Sequence, residues 1–174
     1  IDKRAVETAR KLGLNNVNMG SYRTLEKYPD NFFDTVRLYH VIEHLDDPSL
    51  CLELIRKKLK KNGELIIGTP NIESALGFLF GKYWYNLDTP RHLFLFSPKT
   101  LKDLVIQQQF HSISTEYASA GGIIGSFQYL IESIFKKRIN LIHKQWLVII
   151  LYPIERILDL LRLGDVFVMR VKSS

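Results

Sequence analysis

The stretch from Phe33 to Pro48 reads Phe-Asp-Thr-Val-Arg-Leu-Tyr-His-Val-Ile-Glu-His-Leu-Asp-Asp-Pro and is the most informative part of the chain. Its first half is rich in β-branched and aromatic residues, which favour a strand over Asp34–Val41. Ionisable side chains then crowd together at the end of this strand: His40, Glu43, His44, Asp46 and Asp47. In open α/β sheets, ligands bind beyond the carboxyl ends of the strands. The stretch therefore predicts a buried strand that leads into a functional site.

The composition predicts one globular domain with a real core. The chain has 174 residues, of which 46% are hydrophobic and 24% charged, and both fractions are ordinary for a folded domain. A single cysteine, Cys51, excludes an internal disulfide framework and favours a reducing, cytoplasmic setting. The net charge of +6 is scattered along the chain, so a nucleic-acid partner is not favoured. The polar N-terminal residues predict no signal peptide, and no apolar run is long enough to predict a membrane-spanning helix.

Periodicity and turn residues predict alternating helices and strands. The predicted helices lie at Lys3–Leu12 with Asp2 as its cap, at Ser49–Lys61, after Ser97-Pro98 to about Gln109, at 123–136 and at 140–162. The predicted strands lie at Asn16–Met19, Asp34–Val41, Glu64–Thr69, His111–Ala118 and Val166–Val171. This alternation predicts an α/β fold with a largely parallel sheet, interrupted by two hydrophobic helices before the last strand.

Four segments, in this order along the chain, resemble one enzyme family: Phe33–Pro48, Leu59–Ile67, Thr69-Pro70-Asn71 and Trp84–Ser97. They are similar to the fourth strand, the helix-to-fifth-strand segment, the "T-P-N" segment and the substrate-side segment of class I S-adenosylmethionine-dependent methyltransferases. The likeness is greatest to the branch that includes ubiquinone-biosynthesis O-methyltransferases and bacterial small-molecule and sugar methyltransferases.

The resemblance implies a partial Rossmann-like methyltransferase sheet with strands three to seven of seven. The family's strand order is 3-2-1-4-5-7-6. The implied parts are a methyltransferase core over residues 1–119 without the first two strands, a helical insertion or lid over 120–164, and the final strand over 165–174. The family's Gly-rich cofactor loop is missing, because residues 1–174 contain no G-x-G. We therefore expect a chain truncated at its N-terminal side that by itself binds the cofactor poorly.

The resemblance also implies the cofactor and the site residues. S-adenosyl-L-methionine would be the methyl donor, and the acceptor would be an oxygen or nitrogen of a small molecule, including a sugar or a lipid-linked intermediate. The implied catalytic residues are Glu43, His44 and His92, with a histidine as the base because its pKa lies near neutrality. The implied cofactor-binding residues are Ser21, Tyr22, Tyr39 and His40. The implied substrate-binding residues are Asn71, Trp84 and Arg91.

The same residues also admit other interpretations. The residues His40, Glu43, His44 and His92 are similar to the metal site of small-RNA 2′-O-methyltransferases, with His40 in place of a glutamate, and imidazoles with a carboxylate suit a divalent metal. A non-catalytic remnant that acts as a scaffold is a further alternative. The helices at 123–163 would form a lid, a homodimer interface or, through 140–162, a peripheral membrane contact, and the lid is the simplest interpretation.

Overall fold

The computed structural model describes residues 3–119 and 121–173, which form six α-helices and four strands. The helices are α1 (Lys3–Lys11), α2 (Pro48–Lys58), α3 (Ala75–Phe80), α4 (Pro98–Gln107), α5 (Gly122–Phe135) and α6 (Gln145–Leu160). The strands are β1 (Phe33–Tyr39), β2 (Leu59–Pro70), β3 (Phe110–Tyr117) and β4 (Val166–Ser173). Short 3₁₀ turns lie at Tyr22–Lys27, Ile42–His44, Gly81–Tyr83 and Tyr85–Leu87.

The four strands form one mixed sheet in the order β1-β2-β4-β3. Strand β1 runs parallel to β2, with Val36 opposite Leu65. Strand β4 runs antiparallel to both β2 and β3. Three strands therefore share one direction and β4 opposes them. This arrangement confirms the predicted partial Rossmann-like fold and reproduces the 4-5-7-6 part of the strand order that the resemblance implies.

Two groups of buried apolar side chains hold the fold together. The main core joins the sheet to α2 and α4 and contains fully buried residues such as Leu52, Ile55, Leu65, Ile67 and Phe167. Burial of one such side chain stabilises the fold by roughly 1.5–3 kcal/mol. A smaller core joins α3, α5 and the segment after α3 through Leu76, Phe80, Trp84 and Ile123. The second core therefore packs the two-helix insertion, α5 and α6, against α3 and the segment that follows it.

Three predicted boundaries require correction. The strand expected at Asn16–Met19 is wrong, because no described strand pairs with these residues and their backbone stays irregular. The helix expected over Ser49–Lys61 is α2, which ends at Lys58, and β2 begins at Leu59, earlier than expected. Asn62 takes a left-handed backbone with φ of 62°, and the β1–β2 register shifts between Phe33 and Thr35. Residues 62–63 therefore lie in an irregular part of β2 and do not end a helix. The predicted cap Asp2 lies outside the described residues.

The start of α4 confirms a prediction made from the sequence. The Ser97 hydroxyl accepts a hydrogen bond from the Thr100 backbone N–H at 3.2 Å, and the Thr100 hydroxyl accepts one from the Ser97 N–H at 2.9 Å. This reciprocal pair satisfies two backbone donors that a helix start leaves open. Pro98 occupies the first turn, where its missing N–H costs nothing.

Within the described parts of the chain, no helix is both long and apolar enough to cross a membrane.

Candidate active site

The candidate site begins where β1 ends. His40 follows the strand with a left-handed φ of 50°, a conformation that costs a side-chain-bearing residue about 1–3 kcal/mol. Its backbone N–H donates to the Gly68 carbonyl at 2.9 Å and fixes the turn to β2. A 3₁₀ turn then covers Ile42–His44, and α2 starts at Pro48 with Asp47 accepting from the Leu50 N–H at 2.9 Å. The sharp turn buries Glu43 and leaves His44 on the surface.

Glu43 is a buried carboxylate that joins three segments. It accepts hydrogen bonds from His40 Nδ1 at 3.1 Å and from Thr69 Oγ1 at 3.1 Å. Its backbone carbonyl accepts from the Leu93 and Phe94 N–H groups at 2.8 and 3.1 Å. Burial raises the pKa of the Glu43 carboxyl, but the hydrogen bonds outweigh burial and hold this pKa below its ordinary value. Glu43 is therefore ionised near neutral pH and fixes the turn against β2 and the 93–94 segment.

Two histidines lie beside Glu43 in fixed tautomers. His44 Nδ1 lies 2.9 Å from the Arg91 carbonyl oxygen, and His92 Nδ1 lies 2.8 Å from the Asn86 carbonyl oxygen. A carbonyl oxygen only accepts, so both Nδ1 atoms carry the proton and, in the neutral rings, both Nε2 atoms keep a lone pair. The ring centroids of His44 and His92 are 4.7 Å apart. The site therefore holds two adjacent imidazoles that are each ready to accept a proton at Nε2.

Glu43, His44 and His92 also form a compact set of metal-ligand types. One potential ligand atom from each residue lies within 4.8 Å of the others. His40, the fourth residue of the metal alternative, is not part of this group and instead bonds to Glu43 through Nδ1. The arrangement can therefore offer three protein ligands to one ion.

Two cavities adjoin this cluster and share His40 and His44. The larger, of about 770 Å³, lies between β1, α2 and residues 18–28, and its lining includes Ser21, Tyr22, Leu38 and Asp46. The smaller, of about 310 Å³, is lined by His40, His44, Tyr85, Asn86, Asp88, Arg91, His92, Tyr129 and Val166. The shared histidines stand where a molecule in one cavity would approach a molecule in the other.

The structure brings most, but not all, of the predicted residues to these cavities. Ser21, Tyr22 and His40 line the larger cavity, and His44, His92 and Arg91 line the smaller. Arg91 is largely exposed and is ion-paired with Asp88 at 2.7 Å. Tyr39 lines neither cavity. It lies opposite Gly68 on β2, and the Arg37 guanidinium carbon is 4.8 Å from its ring centroid.

Trp84 and Asn71, which the resemblance implies as substrate-binding residues, both make buried contacts within the protein. Trp84 is 2% exposed within the smaller core, and its Nε1 donates to Asp165. Asn71 is buried as well. Its Nδ2 donates to the Gly164 carbonyl at 2.9 Å, and its Oδ1 accepts from the Glu73 N–H at 3.1 Å. Both side chains are committed to protein partners, and neither lines the larger or the smaller cavity.

The smaller cavity also contains residues that sequence reasoning did not single out. Tyr85, Asn86 and Asp88 stand within the segment that carries the resemblance, so their position was the available signal. Tyr129 comes from α5, and its ring centroid is 5.5 Å from that of Tyr85. Since Tyr129 lies in the helical insertion, far along the chain from the histidines, no sequence motif pointed to it.

A family model described as a methyltransferase domain matches residues 1–115, and no functionally curated protein matches. Among solved structures, a SAM-dependent methyltransferase from Thermotoga maritima has a TM-score of 0.64 at 22% identity, covering 99% of this chain and 70% of that one.

Two further solved structures are similar. A SAM-dependent methyltransferase from Archaeoglobus fulgidus has a TM-score of 0.57 at 22% identity and covers 93% of this chain and 71% of that one. A SAM-dependent methyltransferase from Aquifex aeolicus has a TM-score of 0.57 at 14% identity and covers 100% and 66%. At these identities the structures show a shared fold. The family model goes further than the shared fold, because it covers most of the chain and includes the Phe33–Pro48 stretch. The chain therefore belongs to the methyltransferase-domain family.

Proposed function

We propose that this chain transfers a methyl group from S-adenosyl-L-methionine to an oxygen or nitrogen of a small molecule, with sugars and lipid-linked intermediates among the acceptors. The observation that carries the proposal is the pair of adjacent imidazoles, His44 and His92, whose Nδ1–H groups are held by backbone carbonyls beside two cavities. Membership of the methyltransferase-domain family supports the reaction type, and the fixed tautomers support a proton acceptor.

The two cavities suggest separate places for donor and acceptor. The larger cavity carries Ser21, Tyr22 and His40 and suits the methyl donor. The smaller cavity carries two tyrosines, Asp88 and Arg91, and suits a polar acceptor with an aromatic or sugar ring. Holding both molecules in line is the main contribution that a protein makes to such a displacement.

The donor supplies an electrophilic methyl group bound to a sulfonium sulfur. As the acceptor oxygen or nitrogen bonds to the methyl carbon, the carbon–sulfur bond breaks and the sulfur leaves as a neutral thioether. The acceptor proton passes to the free Nε2 of His92 or His44, so that the ring becomes an imidazolium while its Nδ1–H remains on the carbonyl. Glu43 is a positioning residue, since its carboxylate and carbonyl hold the turn and the 93–94 backbone.

The base assignment is tested by alanine variants of the two histidines. We expect His44→Ala or His92→Ala to lower kcat by about 10²–10⁴-fold, because loss of a positioned base removes that factor. The assay measures transfer of labelled methyl from millimolar S-adenosyl-L-methionine to a panel of phenol, catechol, amine and sugar acceptors. His143→Ala is the matched control, because His143 is exposed in the segment between α5 and α6. Unchanged kcat in both active-site variants would refute the assignment.

A second candidate function has specific support. Glu43, His44 and His92 place ligand atoms within 4.8 Å of one another, and two Nδ1–H groups bonded to carbonyls are the outer contacts that metal-binding histidines usually make. These residues fit a divalent ion, which would hold and polarise acceptor hydroxyl groups, as in a metal-assisted ribose 2′-O-methyltransferase. Titration calorimetry with Mn²⁺ or Zn²⁺ tests this. We expect one ion per chain, and at least tenfold weaker binding in His44→Ala and His92→Ala but not in His143→Ala. The absence of saturable binding by the unaltered chain would exclude the metal function and leave the proton-acceptor role intact.

A further inference from the structure

Helix α6 presents an apolar stripe to solvent. Its inner side chains, Leu151 and Leu158, pack on the smaller core, and Glu155 is buried between them. The opposite side carries five large apolar residues at helical spacing: Trp146, Ile149, Ile150, Ile157 and Leu160. All are more than half exposed, with Ile149 at 72% and Leu160 at 83%. A helix that is apolar on its solvent side normally has a partner there, because contiguous exposed apolar surface is uncommon.

The acidic side chains around this stripe are engaged within the protein and do not face solvent unpaired. The acids of residues 122–163 are Glu132, Glu155 and Asp159, and all three are engaged in the protein. Glu132 accepts from the Ile139 N–H at 3.0 Å, and Glu155 accepts from the Gly121 N–H at 2.9 Å. Asp159 accepts from the Ser119 hydroxyl at 2.6 Å and pairs with Arg156.

The cations beside the stripe, in contrast, face solvent. Lys136, Lys137, Arg138 and Lys144 are exposed in the segment that joins α5 to Trp146 and the start of α6. In the described part of the chain, none of these four takes part in an ion pair. An apolar stripe that starts at an indole and is preceded by unpaired cations matches the chemistry of an anionic lipid surface, whose headgroups attract lysine and arginine.

We propose that the outer face of α6, together with residues 136–144, lies on an anionic lipid bilayer. The apolar stripe would enter the boundary between headgroups and acyl chains, and the cations would contact phosphate groups. The 16-residue helix is about 24 Å long, too short to span the hydrocarbon core. It therefore lies along the surface. This binding requires neither the methyl donor nor the candidate active site, so it is independent of the proposed function.

The experiment uses the two tryptophans of the chain as separate probes. Trp146 is 57% exposed and Trp84 is 2% exposed, so only Trp146 changes its surroundings on docking. Vesicles of phosphatidylglycerol and phosphatidylcholine, mixed 1:1, are compared with pure phosphatidylcholine by co-sedimentation and tryptophan emission. We expect sedimentation with the anionic vesicles together with a blue shift that Trp146→Phe abolishes and Trp84→Phe retains.

Paired variants separate the stripe from general surface effects. We expect Ile149→Glu/Ile150→Glu to weaken vesicle binding at least tenfold, because two exposed side chains lose the apolar contact with lipid that the proposal gives them. Ile106→Glu is the matched control, since Ile106 is 50% exposed on α4, outside this surface, and we expect it to leave binding unchanged. We expect substitution of Lys136, Lys137 and Arg138 by glutamine to reduce binding to the anionic vesicles by about tenfold or more.

Three results would overturn the proposal. The first is wild-type protein that sediments no more with anionic vesicles than without vesicles. The second is equal binding by Ile149→Glu/Ile150→Glu and the wild type. The third is a dimer, measured by light scattering, that dissociates in the same variant while neither protein binds vesicles; this result would assign the stripe to a second copy of the chain.

Discussion

Asp165 shows how one buried carboxyl group can position the candidate acceptor cavity without lining it. It lies immediately before β4, where its carboxylate accepts from Ser74 Oγ at 3.2 Å, from Asn86 Nδ2 at 2.5 Å and from Trp84 Nε1. The backbone carbonyl of Asn86 in turn accepts a hydrogen bond from His92 Nδ1. Burial raises the pKa of Asp165 to about 6; hydrogen bonds from Trp84 and Ser74 lower it, and the nearby carboxylates of Glu155 and Asp159 raise it.

This raised pKa predicts a pH-dependent contribution to stability. The folded protein binds the Asp165 proton more tightly than the unfolded chain, in which the carboxyl group has its ordinary pKa of 3.8. The contribution is therefore complete below about pH 4 and is lost as pH rises through about 6. Urea unfolding of wild type and Asp165→Asn at pH 5 and pH 7 measures it. We expect the free energy of unfolding of Asp165→Asn, relative to that of the wild type, to rise by about 1 kcal/mol from pH 5 to pH 7. An unchanged difference at the two pH values would contradict the raised pKa, and any constant cost of the substitution cancels in this comparison.

The residue types of the candidate site could be predicted from the sequence, but their contacts could not. Glu43 and His44 follow a strand directly, and the shared edge of a sheet brings such residues together whatever their exact rotamers. The contrast between Trp84 and His92 depends on contacts across the fold. Trp84 turns inward because its indole N–H donates a hydrogen bond to Asp165, 81 positions along the chain. No local pattern reports a hydrogen bond over that distance.

At the scale of elements, the sequence was sufficient to predict a helix start that depends only on neighbouring residues. Ser97 and Pro98 both act within one turn, so the start of α4 was confirmed. The Asn16–Met19 strand was wrong because a strand depends on a neighbour for its backbone hydrogen bonds, and no described strand lies beside it.

Helix α5 links the two proposals made for this chain. It packs on α6 and also on the turn at Tyr85–Leu87, where its Tyr129 lines the smaller cavity. A hypothetical Cβ on Gly125 would lie 2.4 Å from the Tyr85 ring, so the close approach of helix and turn depends on glycine at this position. The proposed lipid-facing helix is therefore one helix away from the proposed acceptor cavity. A bilayer held at α6 would bring lipid-linked acceptors near that cavity.

At the scale of the whole molecule, the larger cavity has the walls of a cofactor site but few groups to hold a cofactor. Most of its lining is apolar, with Val36, Leu38, Cys51 and Ile55 on one side. Strand β1 pairs only with β2 among the described strands, so its other edge adjoins this cavity without a neighbouring strand. Residues 1–174 contain no G-x-G loop, and such a loop is what brings backbone N–H groups close to a bound nucleotide-like ligand.

We therefore expect residues 1–174 to bind S-adenosyl-L-methionine only weakly, without saturation below the millimolar range. Titration calorimetry on the purified chain measures this affinity, and a cooperative thermal unfolding transition in the same sample shows that weak binding does not reflect unfolded protein. If heat is released, Tyr22→Ala identifies its origin, since Tyr22 lines the larger cavity and stands far from α6 in sequence. The matched control is Tyr152→Ala, because Tyr152 is an exposed tyrosine of α6. Micromolar affinity that Tyr22→Ala abolishes and Tyr152→Ala retains would contradict the expectation, because the cavity would then hold the donor without a glycine-rich loop.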